Sequence, residues 1–405
     1  MKPRVAMLAY ACDPEGSGEH WLGWGWAEQA ARFCDVQLIT TPKSRAAIER
    51  HSARLGITPH FVEIPRVLRW LSERLGSAGA WWRKIAWAKH AARLATRLHR
   101  NQPLALIHQT TFHSFRVPFY AASIGVPSVW GPIAGGEHTP PGFDEFLGAV
   151  AGAERARTRQ NCLWLRWPRL QRALREASIL FVSNHTTLDF LPAACRIKSI
   201  VVPPNALRPS DLPATHNDRP ESGTLTLLYV GNCVATRSIP LVLRALAKPG
   251  LENCTLTVVG KGPALDCWVR EAKALHLNCR VRFAGQVTRD ELPALYAAAD
   301  ALVFPALRDA GGSALIEAMS LGVPVVCLDW AGPGEMVDIN SGVKIPVTSP
   351  EQVIADFATT FARLRDDPAW RKQLAKRAVE RVHAQFTWEA KARLLETTYA
   401  RLLVQ

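Results

Sequence analysis

The stretch Ala301–Val326, ALVFPALRDAGGSALIEAMSLGVPVV, constrains the fold more than any other part of the chain. It reads as a buried strand (Ala301–Phe304), a turn holding Gly311 and Gly312, a helical pattern, and a second apolar strand from Val323. A strand, loop, helix and strand in that order imply a parallel sheet covered by helices. Asp309 and Glu317 flank the two glycines, eight positions apart. Glycine lacks a Cβ, so the backbone there turns sharply and comes close to a ligand. The helix that follows points unpaired N–H groups and its positive dipole end back at the loop, which suits a diphosphate. Asp309 then sits in the loop beyond the phosphates. Glu317, about two turns into the helix, reaches a neighbouring hydroxyl-rich group.

The same alternation recurs along the chain. Arg4–Tyr10 reads as a strand, followed by the loop ACDPEGSGEH with Gly16 and Gly18 and by the helix WLGWGWAEQAARF. Leu22, Trp26, Ala30 and Phe33 form one apolar face of that helix. Further strands are expected at 35–40, 58–64, 104–108, 127–131, 178–183 and 199–202. Residues 203–223 are rich in Pro, Asn, Asp and Ser and read as a linker. Beyond it, strands at 226–230, 255–259 and 281–284 end at Gly231, in the GKGP run holding Lys261 and Gly262, and before GQVT. A chain of 405 residues is too long for one core. Two Rossmann-like α/β domains are expected, 1–203 and 204–385, with a cleft between them and ligands beyond the carboxyl ends of the strands.

The net charge of +14 is uneven: the chain up to Asn205 carries +12 and the remainder +2. Residues 66–100 hold nine Lys and Arg, one Glu, and tryptophans at 70, 81, 82 and 87. One reading makes them surface helices whose tryptophans pack on the sheet. The other makes them a peripheral membrane segment, with Trp and Leu among headgroups and the cations on anionic lipid. Nucleic acid is not expected as a partner, since no nucleic-acid motif accompanies the charge. Nine scattered cysteines without a C-x-x-C pair fit neither a zinc framework nor a disulfide scaffold. No apolar run reaches the roughly 20 residues needed to span a bilayer. A cytoplasmic protein, at most attached to the inner face of the cytoplasmic membrane, is expected.

The motifs resemble those of GT-B glycosyltransferases of family 4, the group 1 glycosyltransferases. YVGN…R, VVGKGP, FAGQVTRDELPALYAAADALVFPAL and DAGGSALIEAMSLGVPVV stand in the family's order, and YACDPEGSGEHWLGWGWA and VWGPIAGGE resemble one subgroup. The resemblance implies two Rossmann-like domains facing a central cleft, with a closing helix (386–405) that returns to the first domain. It implies transfer of a sugar, with retention, from a nucleotide-sugar donor (UDP- or GDP-sugar) to a saccharide or lipid-linked saccharide, without a resident cofactor or metal. Polysaccharide or lipopolysaccharide synthesis is the expected setting. No D-x-D occurs in the sequence.

In the family's acidic motif the first acid contacts the donor sugar and the second the ribose; Asp309 and Glu317 hold those positions. Gly311, Gly312 and the amides of Ser313 and Ala314 face the diphosphate. Where the family has an arginine after the strand-end glycine this chain has Asn232, and Arg237 stands in place of the usual lysine. Lys261 and Arg308 are candidates for the second cation. His108 falls where the family often places an active-site histidine, with His113 next in line. Val287 lies where the base is bound. Gly16 and Gly18 bring backbone near the diphosphate or acceptor, and Glu137 and His138 lie in a candidate acceptor loop. A non-catalytic GT-B subunit and a sugar-nucleotide epimerase of the same fold are the rival readings.

Overall fold

A computed structural model describes residues 2–65, 68–70, 74–208, 211 and 223–404. Residues 66, 67 and 71–73 of the basic aromatic segment and 209–210 and 212–222 of the linker lie outside the described residues. The chain divides into two units. The first comprises Met1–Gly136, Thr158–Pro204 and Trp388–Gln405, and the second Glu137–Arg157 and Asn205–Thr387. Segment 137–157 falls inside the first expected range but groups with the second unit. Phe143, Phe146 and Leu147 are buried in that unit's core, Arg244 lies 4.5 Å from the Phe146 ring, and it bonds to Glu145 at 2.8 Å.

The first unit is built on strands β1 (Arg4–Ala9), β2 (Asp35–Thr40), β3 (Thr58–Phe61), β4 (Leu106–Gln109), β5 (Ser128–Ile133), β6 (Ile179–Val182) and β7 (Ser199–Val201). All pair in parallel, in the order β3-β2-β1-β4-β5-β6-β7. The second is built on β8 (Leu225–Val230), β9 (Cys254–Val259), β10 (Val281–Gly285), β11 (Ala301–Phe304), β12 (Val325–Leu328) and β13 (Gly342–Ile345). These are also parallel, in the order β10-β9-β8-β11-β12-β13. Both faces of such sheets are covered by helices, so central strands such as β4, β11 and β12 are buried at every residue. In each sheet the strand order reverses once, between β1 and β4 and between β8 and β11.

The helix Glu19–Ala31 departs from the single apolar face expected of it. Leu22, Trp24, Trp26 and Ala30 are all buried, as are Gly23 and Gly25, so it is enclosed on several sides. The C-terminal helix Trp388–Leu403 packs on it, with Trp388 5.7 Å from the Trp26 ring and 6.5 Å from that of Trp21. A Cβ on Gly25 would stand 2.3 Å from Trp388, so only glycine lets the two helices approach this closely. The WLGWGW run is thus a packing surface, and the closing helix does belong to the first domain. Residues 151–176 form two helices, Ala151–Leu165 and Pro168–Glu176, separated before Pro168. A proline cannot extend a preceding helix, but its fixed φ suits the first helical turn.

Gly25→Ala should therefore lose at least about 1 kcal/mol of stability in urea unfolding, because overpacking outweighs the roughly 1 kcal/mol gain in helix propensity. Gly152→Ala, also helical but with nothing within 4 Å of its Cβ position, should be neutral or stabilising.

Candidate functional site

The reversal between β8 and β11 puts the carboxyl ends of two central strands side by side, the place where doubly wound sheets bind ligands. From the end of β8, Arg237 reaches Asp309, beyond the end of β11, and forms an ion pair with its carboxylate. Both side chains are largely shielded, at 19% and 10% exposure. The Asp309 Oδ1 atom also accepts the Gly311 amide at 2.8 Å, so both carboxylate oxygens are engaged locally. Arg237 lies 4.8 Å from the Phe304 ring, and Phe304 in turn stacks on Tyr229.

Gly311 has φ +147, a conformation that side chains resist, and turns the chain into the helix Ser313–Ser320. Gly312 is the N-cap of this helix, no side chain caps it, and its first turn holds no acid. Its leading amides are therefore left without a side-chain cap, an arrangement that suits an external anion. The Asn205 side chain holds the Gly311 carbonyl at 2.7 Å. Further along the helix, Glu317 Oε2 accepts a 3.0 Å hydrogen bond from the Tyr296 hydroxyl. Burial, and then the adjacent Glu317 carboxylate, push the Tyr296 pKa upward, which keeps it a donor.

Gly262 lets two loops of the second unit pack together. A Cβ there would stand 2.4 Å from the Cys233 carbonyl, and the loops after β8 and β9 are joined by Cys233 N→Lys261 O and Ala264 N→Cys233 O, both 2.9 Å. The glycine permits loop packing, and the Lys261 side chain is left exposed beside exposed Asn232. Gly231 begins the same loop, and its amide bonds to Val259 O at 3.0 Å. Val287 is half-buried against the second core. Arg308 is ion-paired with Glu154 at 2.6 Å and so already has a counter-charge. Glu137 is buried, and Arg157 donates to its backbone carbonyl at 2.6 Å. The His138 ring packs 5.2 Å from Trp330, whose Nε1 donates to the His138 carbonyl at 2.8 Å. In the second unit, then, Arg237, Asp309, Gly311, Gly312, Ser313, Ala314 and Glu317 are assembled on two adjoining loops and one helix. Asn205, Tyr296 and Glu154 were not anticipated. An Asn in a linker-like run, a Tyr in an apolar run and a Glu among arginines carry no local signal of that role.

Gly16, Gly18 and His108 belong to the first unit. The loop 13–18 is organised by Asp13, which accepts the Glu15 amide at 2.9 Å and the Ser44 hydroxyl at 2.7 Å. Gly18, at φ +57, is the N-cap of the Glu19–Ala31 helix. His108 is fully buried, its Nε2 bonded to the Gly131 carbonyl at 2.8 Å and its Nδ1 to the Tyr399 hydroxyl at 2.7 Å. A carbonyl only accepts, so Nε2 carries the proton and Nδ1 accepts from Tyr399. Both ring nitrogens are thus used within the first unit, and burial lowers the pKa from 6.5 to about 4. This is the pattern of a histidine that ties the closing helix to β4. Next to it, His113 is also shifted down by burial, and Phe112 and His113 both have positive φ. Among the described residues no group of three or more His, Cys, Asp or Glu is arranged to hold a metal ion.

Two doubly wound parallel sheets, the second with this cationic and amide-rich switch point, define a GT-B protein. Residues 215–381 match the family described as Glycosyl transferases group 1. The chain is 31% identical over 186 residues to glycogen synthase of Mycobacterium tuberculosis (strain CDC 1551 / Oshkosh), covering 45% of this chain and 44% of that one. It thus spans under half the length of this curated relative. Similar solved structures include the apo form of the lipopolysaccharide outer core galactosyltransferase WaaB, with TM-score 0.65, 12% identity and 98% and 99% of the two chains covered. HepE of Anabaena in complex with UDP gives TM-score 0.61, 15% identity and coverage of 98% and 100%. The similarity to group 1 glycosyltransferases thus rests on residues 215–381, in the second unit.

The His108 shift sets a pH dependence. Its folded pKa lies below the unfolded value, so the unfolded chain holds the extra proton between about pH 4 and 6.5, and stability falls as pH drops through that window. The full effect is on the order of 3 kcal/mol. Unfolding free energies measured at pH 7.5 and 4.5 should fall more in the native protein than in His108→Gln, which cannot take up that proton.

Proposed function

We propose that this chain is a retaining, metal-independent glycosyltransferase that moves a sugar from a nucleotide-sugar donor to a saccharide or lipid-linked saccharide, in cell-surface polysaccharide or glycolipid synthesis. The observation that carries the reading is the Arg237–Asp309 pair beside the uncapped Ser313–Ser320 helix, with Glu317 anchored by Tyr296. The amides of Ser313 and Ala314 and the Arg237 guanidinium bind the diphosphate. Arg237 and exposed Lys261 stabilise the charge that develops as it leaves. The leaving diphosphate helps to take the acceptor proton. Glu317, oriented by Tyr296, accepts from the ribose hydroxyls. Asp309, with both oxygens engaged, acts mainly by holding Arg237 in place, so it grips the donor sugar less than a longer glutamate would.

The HepE complex with UDP favours a uridine nucleotide, with GDP-sugar as the alternative. The similarity to WaaB favours a lipopolysaccharide or lipid-linked acceptor. Nine free cysteines, six of them buried, suit a cytoplasmic protein working at the inner face of the cytoplasmic membrane. A second reading, a non-catalytic GT-B subunit, is favoured by one observation: Arg237 and Arg308 both already carry carboxylate partners.

A screen of UDP-, GDP- and ADP-sugars for thermal shift and slow donor hydrolysis separates the two. The transferase is expected to release nucleotide from at least one donor, whereas a binding subunit releases none. Arg237→Lys keeps the charge but loses the planar fork, and kcat should fall at least tenfold with an unchanged melting temperature. Tyr296→Phe removes one bond to a carboxylate, worth about 1.5–3 kcal/mol. It should raise the donor KM about tenfold with little change in kcat, and an unchanged KM would end the ribose assignment of Glu317.

A further inference from the structure

The basic aromatic segment resolves into a long helix, Gly76–Asn101, with six Lys and Arg and no Asp or Glu. Its four neighbouring tryptophans do different things. Trp87 is in the core, and Trp81 packs 4.7 Å from Trp164 and 6.0 Å from Trp167 while donating to the Arg116 carbonyl at 3.3 Å. Trp70 and Trp82 are exposed, at 51% and 58%, and of the chain's fourteen tryptophans they alone are. Leu68 and Leu75 beside them are also exposed, at 43% and 59%.

Trp82, Ala86, Lys89, Arg93, Arg97 and Arg100 follow one another at steps of three or four, so they share one helix face that grades from apolar to basic. Two cavities that share His90 and Arg93 lie along it. One, of about 370 Å³, is lined by Leu68, Leu75, Trp82, Ile85 and Ala86, together with Arg83 and Lys89. The other, of about 590 Å³, is lined by Arg93, Arg97 and Arg100, with Glu63 its single acid. Among the described residues no ion pair engages these three arginines. Cations near a helix C-terminus also complement its dipole, but that leaves the exposed tryptophan and leucines at the other end unexplained.

We propose that this face docks on an anionic phospholipid surface, with Trp82 and Leu75 entering the headgroup region and Arg93, Arg97 and Arg100 meeting lipid phosphates. A nucleic acid would satisfy the arginines, but it has no counterpart for the adjoining aliphatic groove. The assignment holds whether or not the chain transfers a sugar.

The test is co-sedimentation of the full chain with vesicles of phosphatidylcholine alone or with 30% phosphatidylglycerol (roughly the anionic share that gives a basic patch measurable attraction). Binding should be at least tenfold tighter to the anionic vesicles and should weaken with salt. The triple variant Arg93→Gln/Arg97→Gln/Arg100→Gln should lose at least tenfold, and Trp82→Ser severalfold, with melting temperatures unchanged. The control Lys43→Gln/Arg54→Gln/Arg401→Gln should bind as the native chain does. Absence of vesicle binding, equal binding to neutral vesicles, or binding that ignores these variants overturns the proposal. So does displacement of the protein from vesicles by single-stranded DNA that binds through the same arginines.

Discussion

Parallel strand pairing is the constraint from which the rest follows. A parallel neighbour cannot be reached by a tight turn, so each strand must be followed by a crossover that returns the chain to the same end of the sheet. All strands of one sheet then point the same way, and their carboxyl ends share one edge. In the second unit the order reverses between β8 and β11, and the crossovers leave that edge in opposite directions. The loops that begin at Gly231 and Pro305 are therefore free to meet each other, and Arg237 meets Asp309 there. A buried ion pair of this kind costs desolvation on both sides, and removing one partner typically costs about 3–5 kcal/mol. Its value lies in holding a guanidinium at one fixed place beside the start of a helix.

That pair also lies where the chain departs from the family pattern it resembles. Asn232 replaces one cation and Asp309 replaces a longer acid. With both oxygens of Asp309 engaged by Arg237 and the Gly311 amide, the shorter acid serves the arginine. Arg308, the other candidate cation, is paired with Glu154 from the segment that joins the second core. Lys261 remains the exposed cation on the neighbouring loop.

The order of strands and helices was legible from apolar runs ended by glycine, since buried parallel strands are nearly continuous in apolar residues. Strand β13 was missed because Gly342–Ile345 is four residues long and half-buried at the sheet edge. The placement of segment 137–157 was missed because Phe143 and Phe146 look the same whichever core receives them. Asp309, Glu317 and the glycines between them were legible because a turn and a helix start demand particular residue types. Asn205, Tyr296 and Glu154 were not, since their roles come from partners 106, 21 and 154 positions away.

The amino-acid sequence by itself determined the class of fold, the two-unit organisation and the glycine turn that opens the Ser313–Ser320 helix, because these depend on local periodicity and turn chemistry. Only the tertiary structure decided which charges pair with each other, as Arg237 does with Asp309 and Arg308 with Glu154. It showed that His108 spends both ring nitrogens on Gly131 and Tyr399, and that Trp87 is core while Trp82 is surface. The physical reason is that burial and pairing are properties of what surrounds a side chain. In a doubly wound fold the surroundings are supplied by crossovers from distant parts of the chain.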